Sequence, residues 1–185
     1  MIAIIDYGAG NIFSVKNALD YLGVENKLTA DKNEICAADE IILPGVGAFP
    51  WAMKMLRDSG LVDTIREEAR KKPFLGICLG MQLIFDRGYE FEATDGLRLI
   101  GGKVEKIDRK DMIIPHMGWN ELEINRDCPI LKGLPEHPYV YFVHSYAAVC
   151  DDANVSAYCD YGGKITALVH DGAYVYGAQF HPEKS

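Results

Sequence analysis

No apolar run in this sequence approaches the ~18 residues that a membrane-spanning helix needs. The N-terminus also lacks the basic start and cleavage site of a signal peptide. Cys36, Cys78, Cys128, Cys150 and Cys159 are odd in number and include no C-x-x-C. That spacing indicates neither a disulfide framework nor a zinc site, so the expected setting is a reducing cytoplasm and no metal is expected. Basic residues are in deficit, 19 Lys and Arg against 27 Asp and Glu for a net charge of −8. This argues against nucleic acid or an anionic membrane as the main partner. Internal repeats, low-complexity stretches and linkers are missing too, so the 185 residues read as one domain with a proper core.

What is present is alternation. Ile2 to Asp6 reads as a buried strand, and Asn11 to Leu22 places Ile12, Val15, Ala18, Leu19 and Leu22 at helical spacing. Further strands are expected at Val24 to Thr29, at Glu40 to Leu43 (stopped by Pro44-Gly45) and at Pro73 to Ile77. Helices are expected at Trp51 to Arg57, Leu61 to Lys71 and Leu79 to Phe85. This order predicts right-handed crossovers and a mostly parallel sheet covered on both faces. The second half changes to short strands: Leu97 to Ile107, Asn120 to Ile124, Tyr139 to Val143, Val155 to Tyr161, Lys164 to Val169 and Tyr174 to Gln179. Gly162-Gly163 and Asp171-Gly172 lie between successive strands, which signals hairpins. The expected fold class is therefore α/β, a single domain with a mostly parallel central sheet flanked by helices and an added antiparallel section. Helical signal is absent after Val149.

Three stretches carry chemistry. Gly76-Ile77-Cys78-Leu79-Gly80 lies where a strand turns into a helix, the arrangement of a nucleophile elbow with Cys in place of Ser. The helix N-terminus favours a thiolate there, and Leu79 offers its N–H to an oxyanion. His181-Pro182-Glu183, read as a strand end, puts an imidazole and a carboxylate on one face. Such a carboxylate fixes the ring tautomer and stabilises the imidazolium. Pro44-Gly45-Val46-Gly47-Ala48-Phe49 ends a parallel strand on the same carboxyl edge as Cys78. Its glycines leave the Val46 peptide free to turn toward a substrate carbonyl or away from it. The other four cysteines read as packing residues. Gly8-Ala9-Gly10 prompts a nucleotide-binding reading, but with no third glycine the dinucleotide fingerprint is incomplete.

Together these segments resemble class I, triad-type, glutamine amidotransferase domains. The matching segments are Gly76 to Gln82 and Phe180 to Glu183. Pro44 to Phe49, Pro115-His116-Met117-Gly118-Trp119-Asn120 and Tyr141-Phe142-Val143-His144-Ser145-Tyr146 look like the glutaminase subunits of imidazole glycerol phosphate synthases, from histidine biosynthesis. The resemblance covers the chain from Asp6 to Ser185. It implies Cys78 as nucleophile, His181 as general base and acid, and Glu183 as the residue that orients it. It implies Val46, Gly47 and Leu79 as oxyanion donors, and Gly45, Gln82, Glu90, Ser145 and Tyr146 as the glutamine-binding set. No cofactor is implied.

The implied partner is a (β/α)8-barrel cyclase in a heterodimer, contacted by Pro115, Met117, Trp119, Asn120 and Lys184. The Val46 peptide is expected to turn inward only when that partner is loaded. Family members continue past the His-Pro-Glu-Lys segment into a final helix, whereas this sequence stops at Ser185, which reads as a truncated end. The alternatives are a class I glutaminase serving another ammonia-accepting synthase, and a cysteine hydrolase or peptidase on a similar sheet.

Overall fold

Alternate residues of the first strands serve two different cores. The computed structural model describes residues 1–185. β1 (Ile2–Ile5), β2 (Asn26–Thr29), β3 (Glu40–Gly45) and β4 (Phe74–Cys78) are joined by α1 (Ile12–Tyr21), α2 (Lys32–Ala37), and the pair α3 (Phe49–Asp58) and α4 (Val62–Glu68). Ile5, Ile41, Leu43 and Phe74 face Phe49, Met53 and Leu56 of α3 and Ile65 of α4. Ile4, Ile42 and Ile77 face Val15 of α1 on the other side. Helices on both faces explain why these strands are apolar almost throughout. Each fully buried Ile or Leu contributes roughly 2 kcal/mol.

After α5 (Leu79–Leu83) come β5 (Arg87–Gly88), β6 (Thr94–Asp95), β7 (Gly102–Lys106), β8 (His116–Glu121), β9 (Glu123–Ile124), β10 (Tyr139–His144), β11 (Tyr146–Cys150), β12 (Val155–Asp160), β13 (Lys164–His170) and β14 (Val175–Ala178). The main sheet runs β2-β1-β3-β4-β14-β13-β12-β9. Its first half is parallel, β14 joins β4 in parallel, and β13, β12 and β9 follow antiparallel. The expected α/β class and antiparallel extension are both present. β8 and β10 form a separate ribbon, and β11, β7, β5 and β6 a small second sheet. No helix is long and apolar enough to cross a membrane.

Several boundaries differ from the sequence expectation. Pro44-Gly45 does not stop β3, because Pro44 pairs with Ile77 and Gly45 with Cys78. Pairing with β1 ends at Ile42, so Pro44 sits where one side of the strand is already an edge and its missing N–H is tolerated. Helix α2 has no counterpart in the sequence expectation; it is one short segment capped by Asp31, which accepts the Asn33 and Glu34 N–H groups. Leu97 to Gly101 is not strand. Leu97 N–H donates to the Leu83 carbonyl and Leu99 N–H to the Ile84 carbonyl, so this segment satisfies the C-terminal end of α5 instead. β5, β6 and β11 have no counterpart there either, and β11 pairs with β7.

Candidate active site

Cys78 ends β4 and begins α5 with φ 55° and ψ −111°, a left-handed conformation that is strained for a residue with a side chain. Its neighbours make the turn possible. A Cβ on Gly80 would stand 1.8 Å from the Leu43 carbonyl oxygen, and one on Gly76 would stand 2.6 Å from the Gly80 oxygen. Gly45, opposite Cys78 in the β3–β4 register, packs equally close beneath the elbow, its Cβ position 2.7 Å from Gly80 N. The thiol is buried, and Gln179 Nε2–H points at its sulfur from 3.9 Å.

His181 arrives on the adjacent strand. β14 ends at Ala178, and Pro182–Lys184 form a single 3-10 turn rather than a continuing strand. The expected strand alternation is therefore not what pairs His181 with Glu183. The turn brings His181 Nδ1 within 2.8 Å of Glu183 Oε1, with both side chains almost wholly shielded from solvent. Pro182 fits because the start of a helical turn needs no N–H from it. Ser185 Oγ donates to the His181 carbonyl and accepts the Tyr141 N–H, which ties the turn to β10. His181 Nε2 is buried without a hydrogen-bond partner. Burial opposes charging of this ring, but the Cys78 thiol and the Glu183 carboxylate outweigh it and push the imidazolium pKa up to about 9.

A cleft of about 410 Å³ opens over these groups. Val46, Gly47, Leu79, Gln82, Glu90, Ser145 and Tyr146 line it together with Cys78 and His181. Glu90 accepts the Phe49 N–H at the start of α3. Gln82 is buried, its amide donating to the Tyr146 carbonyl and to Gln179 Oε1, both at 3.0 Å. Two expectations change. Gly45 is not among the lining residues and serves the elbow's packing, while Pro115, expected on the partner surface, also lines the cleft. Met117 and Trp119 of β8 are more than half exposed, Trp119 packs edge-on against Tyr141, and the Lys184 ammonium lies over the Tyr141 ring. Asn120 instead turns one end of its amide to a buried histidine. A larger concavity, about 1100 Å³ and rich in arginine, includes none of Cys78, His181 and Glu183.

The sequence model of the family described as glutamine amidotransferase class-I matches residues 3–185. This chain belongs to that family. Among relatives of this amidotransferase, the imidazole glycerol phosphate synthase subunit HisH of Bacillus cereus (strain G9842) is 52% identical over 186 residues, covering 100% of this chain and 88% of that one. The subunit of the same name from Listeria monocytogenes serotype 4a (strain HCC23) is 49% identical over 187 residues, covering 100% and 89%. Among solved structures, a glutamine amidotransferase superposes with a TM-score of 0.76 at 22% identity, covering 99% of this chain and 91% of that one. PurLQS from Thermotoga maritima superposes at 0.74 and 22%, covering 98% and 87%. At such identity these two establish the fold alone.

Two polar residues at the candidate site have no place in the sequence expectation. Gln179 is fully buried between Ala178 and Phe180, and His144 lines the cleft. Their only signal in the sequence was a polar side chain inside an apolar strand end, which does not say what it touches.

Proposed function

We propose that this chain is the glutaminase subunit of an imidazole glycerol phosphate synthase, acting in histidine biosynthesis. Support comes from relatives of that name at about half identity over the whole chain. The observation that carries the chemistry is the His181 imidazole, held by Glu183 at Nδ1 and left without a partner at Nε2 beside Cys78.

The Cys78 thiolate attacks the side-chain amide carbon of glutamine, forming a C–S bond and a tetrahedral oxyanion. N–H groups of Val46, Gly47 and Leu79 stabilise that oxygen, which is the largest electrostatic contribution available in a shielded cleft. Protonated His181 gives its Nε2 proton to the leaving nitrogen, so the C–N bond breaks and ammonia departs from a glutamyl thioester. Neutral His181 then takes a proton from water, whose oxygen attacks the thioester; the C–S bond breaks, giving glutamate and the thiolate. Glu183 keeps the ring in one tautomer throughout. Glu90 pairs with the α-ammonium of glutamine, and Gln82, Ser145 and Tyr146 hold its amino-acid end.

The ammonia acceptor is a (β/α)8-barrel cyclase that forms imidazole glycerol phosphate and an aminoimidazole carboxamide ribotide. Met117, Trp119 and Lys184 supply the exposed aromatic, thioether and cationic groups that suit an interface. The reading is tested by glutamate release from glutamine with and without the cyclase subunit and its nucleotide ligand. The expected result is weak hydrolysis by the chain alone and strong stimulation in the loaded complex. Equal rates under both conditions would remove the proposed coupling, and no glutamate at all would remove the function.

A further inference from the structure

Three side chains outside the triad, two of them buried histidines, form a chain of hydrogen bonds that ends at the cleft. Asn120 Oδ1 lies 2.9 Å from His116 Nε2, His116 Nδ1 lies 3.0 Å from His144 Nε2, and His144 Nδ1 lies 2.8 Å from the Tyr146 carbonyl oxygen. His116 has no solvent exposure, and its ring is stacked on Phe142 at 4.6 Å and on Tyr161 at 3.9 Å. The same Tyr146 carbonyl accepts from Gln82, Gln82 donates to Gln179, and Gln179 points at the Cys78 sulfur. Polar contact thus runs without a break from β8 to the nucleophile.

Proton counting gives this chain a direction. A carbonyl oxygen only accepts, so His144 carries its proton on Nδ1. In a neutral ring His144 Nε2 must then accept, and the donor is His116 Nδ1–H. His116 Nε2 is left as an acceptor facing the Asn120 amide. Two neutral rings therefore require the NH2 edge of Asn120, whereas its carbonyl edge calls for a third proton and a charged pair. Burial opposes that charge on both rings, pushing His144 down to about 4 and lowering His116. The nearby imidazolium of His181 opposes it further on His144. A half-turn of the Asn120 amide exchanges the two arrangements.

We propose that Asn120, His116 and His144 are positioning residues for the glutamine site, with the amide edge of Asn120 setting whether the histidine pair is neutral or charged and the pair holding the Tyr146 carbonyl and Gln82 in register. The inference rests on reading the cleft as the glutamine site. Asn120 shares β8 with the exposed Met117 and Trp119, so whatever covers that strand acts at the outer end of the chain.

The test uses the full chain labelled with 15N-histidine. At neutral pH both His116 and His144 should show the Nδ1–H tautomer in long-range 1H–15N spectra. Asn120→Asp, which has no donor edge, should put a proton on His116 Nε2 and produce an imidazolium signature in the pair. His116→Phe keeps the stacked ring but deletes both nitrogens. With saturating cyclase it should raise the KM for glutamine about tenfold, the cost of one lost buried hydrogen bond, and change kcat less than about twofold. His144 protonated at Nε2 in the wild-type chain would overturn the proposal whether or not the variants fold, and so would an unchanged KM in a folded His116→Phe. Absence of glutamate release by the wild-type complex would instead strike the functional reading and leave the tautomer result standing.

Discussion

Ala178 lies directly opposite Ile77 in the parallel pair β4–β14, and this register delivers His181 to Cys78. Both strands end at the same edge, so Cys78 at the end of β4 and Gln179 to His181 on the exit from β14 meet above the sheet. β3 flanks β4 on its other side and sends Val46 and Gly47 to the same cleft. Three neighbouring strand ends thus assemble the Cys78 thiol, the His181 imidazole and the proposed oxyanion donors.

Replacing the proposed nucleophile separates chemistry from binding. Cys78→Ala should reduce glutamine hydrolysis in the cyclase complex more than about a thousandfold, as loss of a nucleophile does elsewhere. Calorimetric glutamine affinity should stay within a few-fold, because the rest of the lining set is untouched. Retention of wild-type turnover would exclude Cys78 from the role.

The charge state of His181 predicts a pH dependence with a definite sign. Its folded pKa is raised from the ordinary 6.5 to about 9. The stability it contributes is therefore complete below its ordinary value and is lost as pH rises through about 9. Glu183→Gln should lower the NMR titration midpoint of the His181 ring and flatten that loss in urea unfolding measured across the range. Hydrolysis should fall about 10²- to 10⁴-fold, since the ring loses its fixed tautomer. An unshifted midpoint would show that Glu183 does not govern the ring.

The elbow tolerates no side chain at Gly80. Gly80→Ala places a Cβ 1.8 Å from the Leu43 carbonyl oxygen, so α5 must move off β3. The expected cost is about 3 kcal/mol in urea unfolding, with loss of glutaminase activity. Gly101→Ala, whose Cβ would meet only Asp86 at 3.9 Å, is the control and should change stability by less than about 1 kcal/mol.

The exposed face of β8 predicts a partner effect without a folding effect. Trp119 is 54% exposed, so Trp119→Ala should shift stability by no more than about 0.5 kcal/mol. Titration calorimetry with the cyclase should show an affinity loss of about 2 kcal/mol, roughly thirtyfold. Unaltered affinity would place the interface elsewhere.

Legibility in the sequence followed how local the cause was. The glycine-flanked Cys78 announced its elbow because the strain and the close approach are properties of five consecutive residues. The hairpins around Gly162-Gly163 and Asp171-Gly172 were visible for the same reason, since the turn residues themselves set the register. Leu97 to Gly101 misled because apolar residues at strand-like spacing instead cap the carbonyls at the end of α5. His181 and Glu183 were paired correctly on a wrong geometric ground, a 3-10 turn doing what strand alternation was expected to do. The surface position of Trp119 followed from the family resemblance alone, because an aromatic by residue type suits core or surface.

The sequence by itself determined the alternation of strand and helix, the elbow at Cys78 and the membership of a triad-type family, all carried by short contiguous segments. Only the tertiary structure decided that Gly45 packs while Pro115 lines the cleft, that Gln179 reaches the thiol, and that Asn120, His116 and His144 form one chain. Each of these depends on which strands lie side by side and in what register. Strand pairing joins residues far apart along the chain, so a local pattern does not contain it.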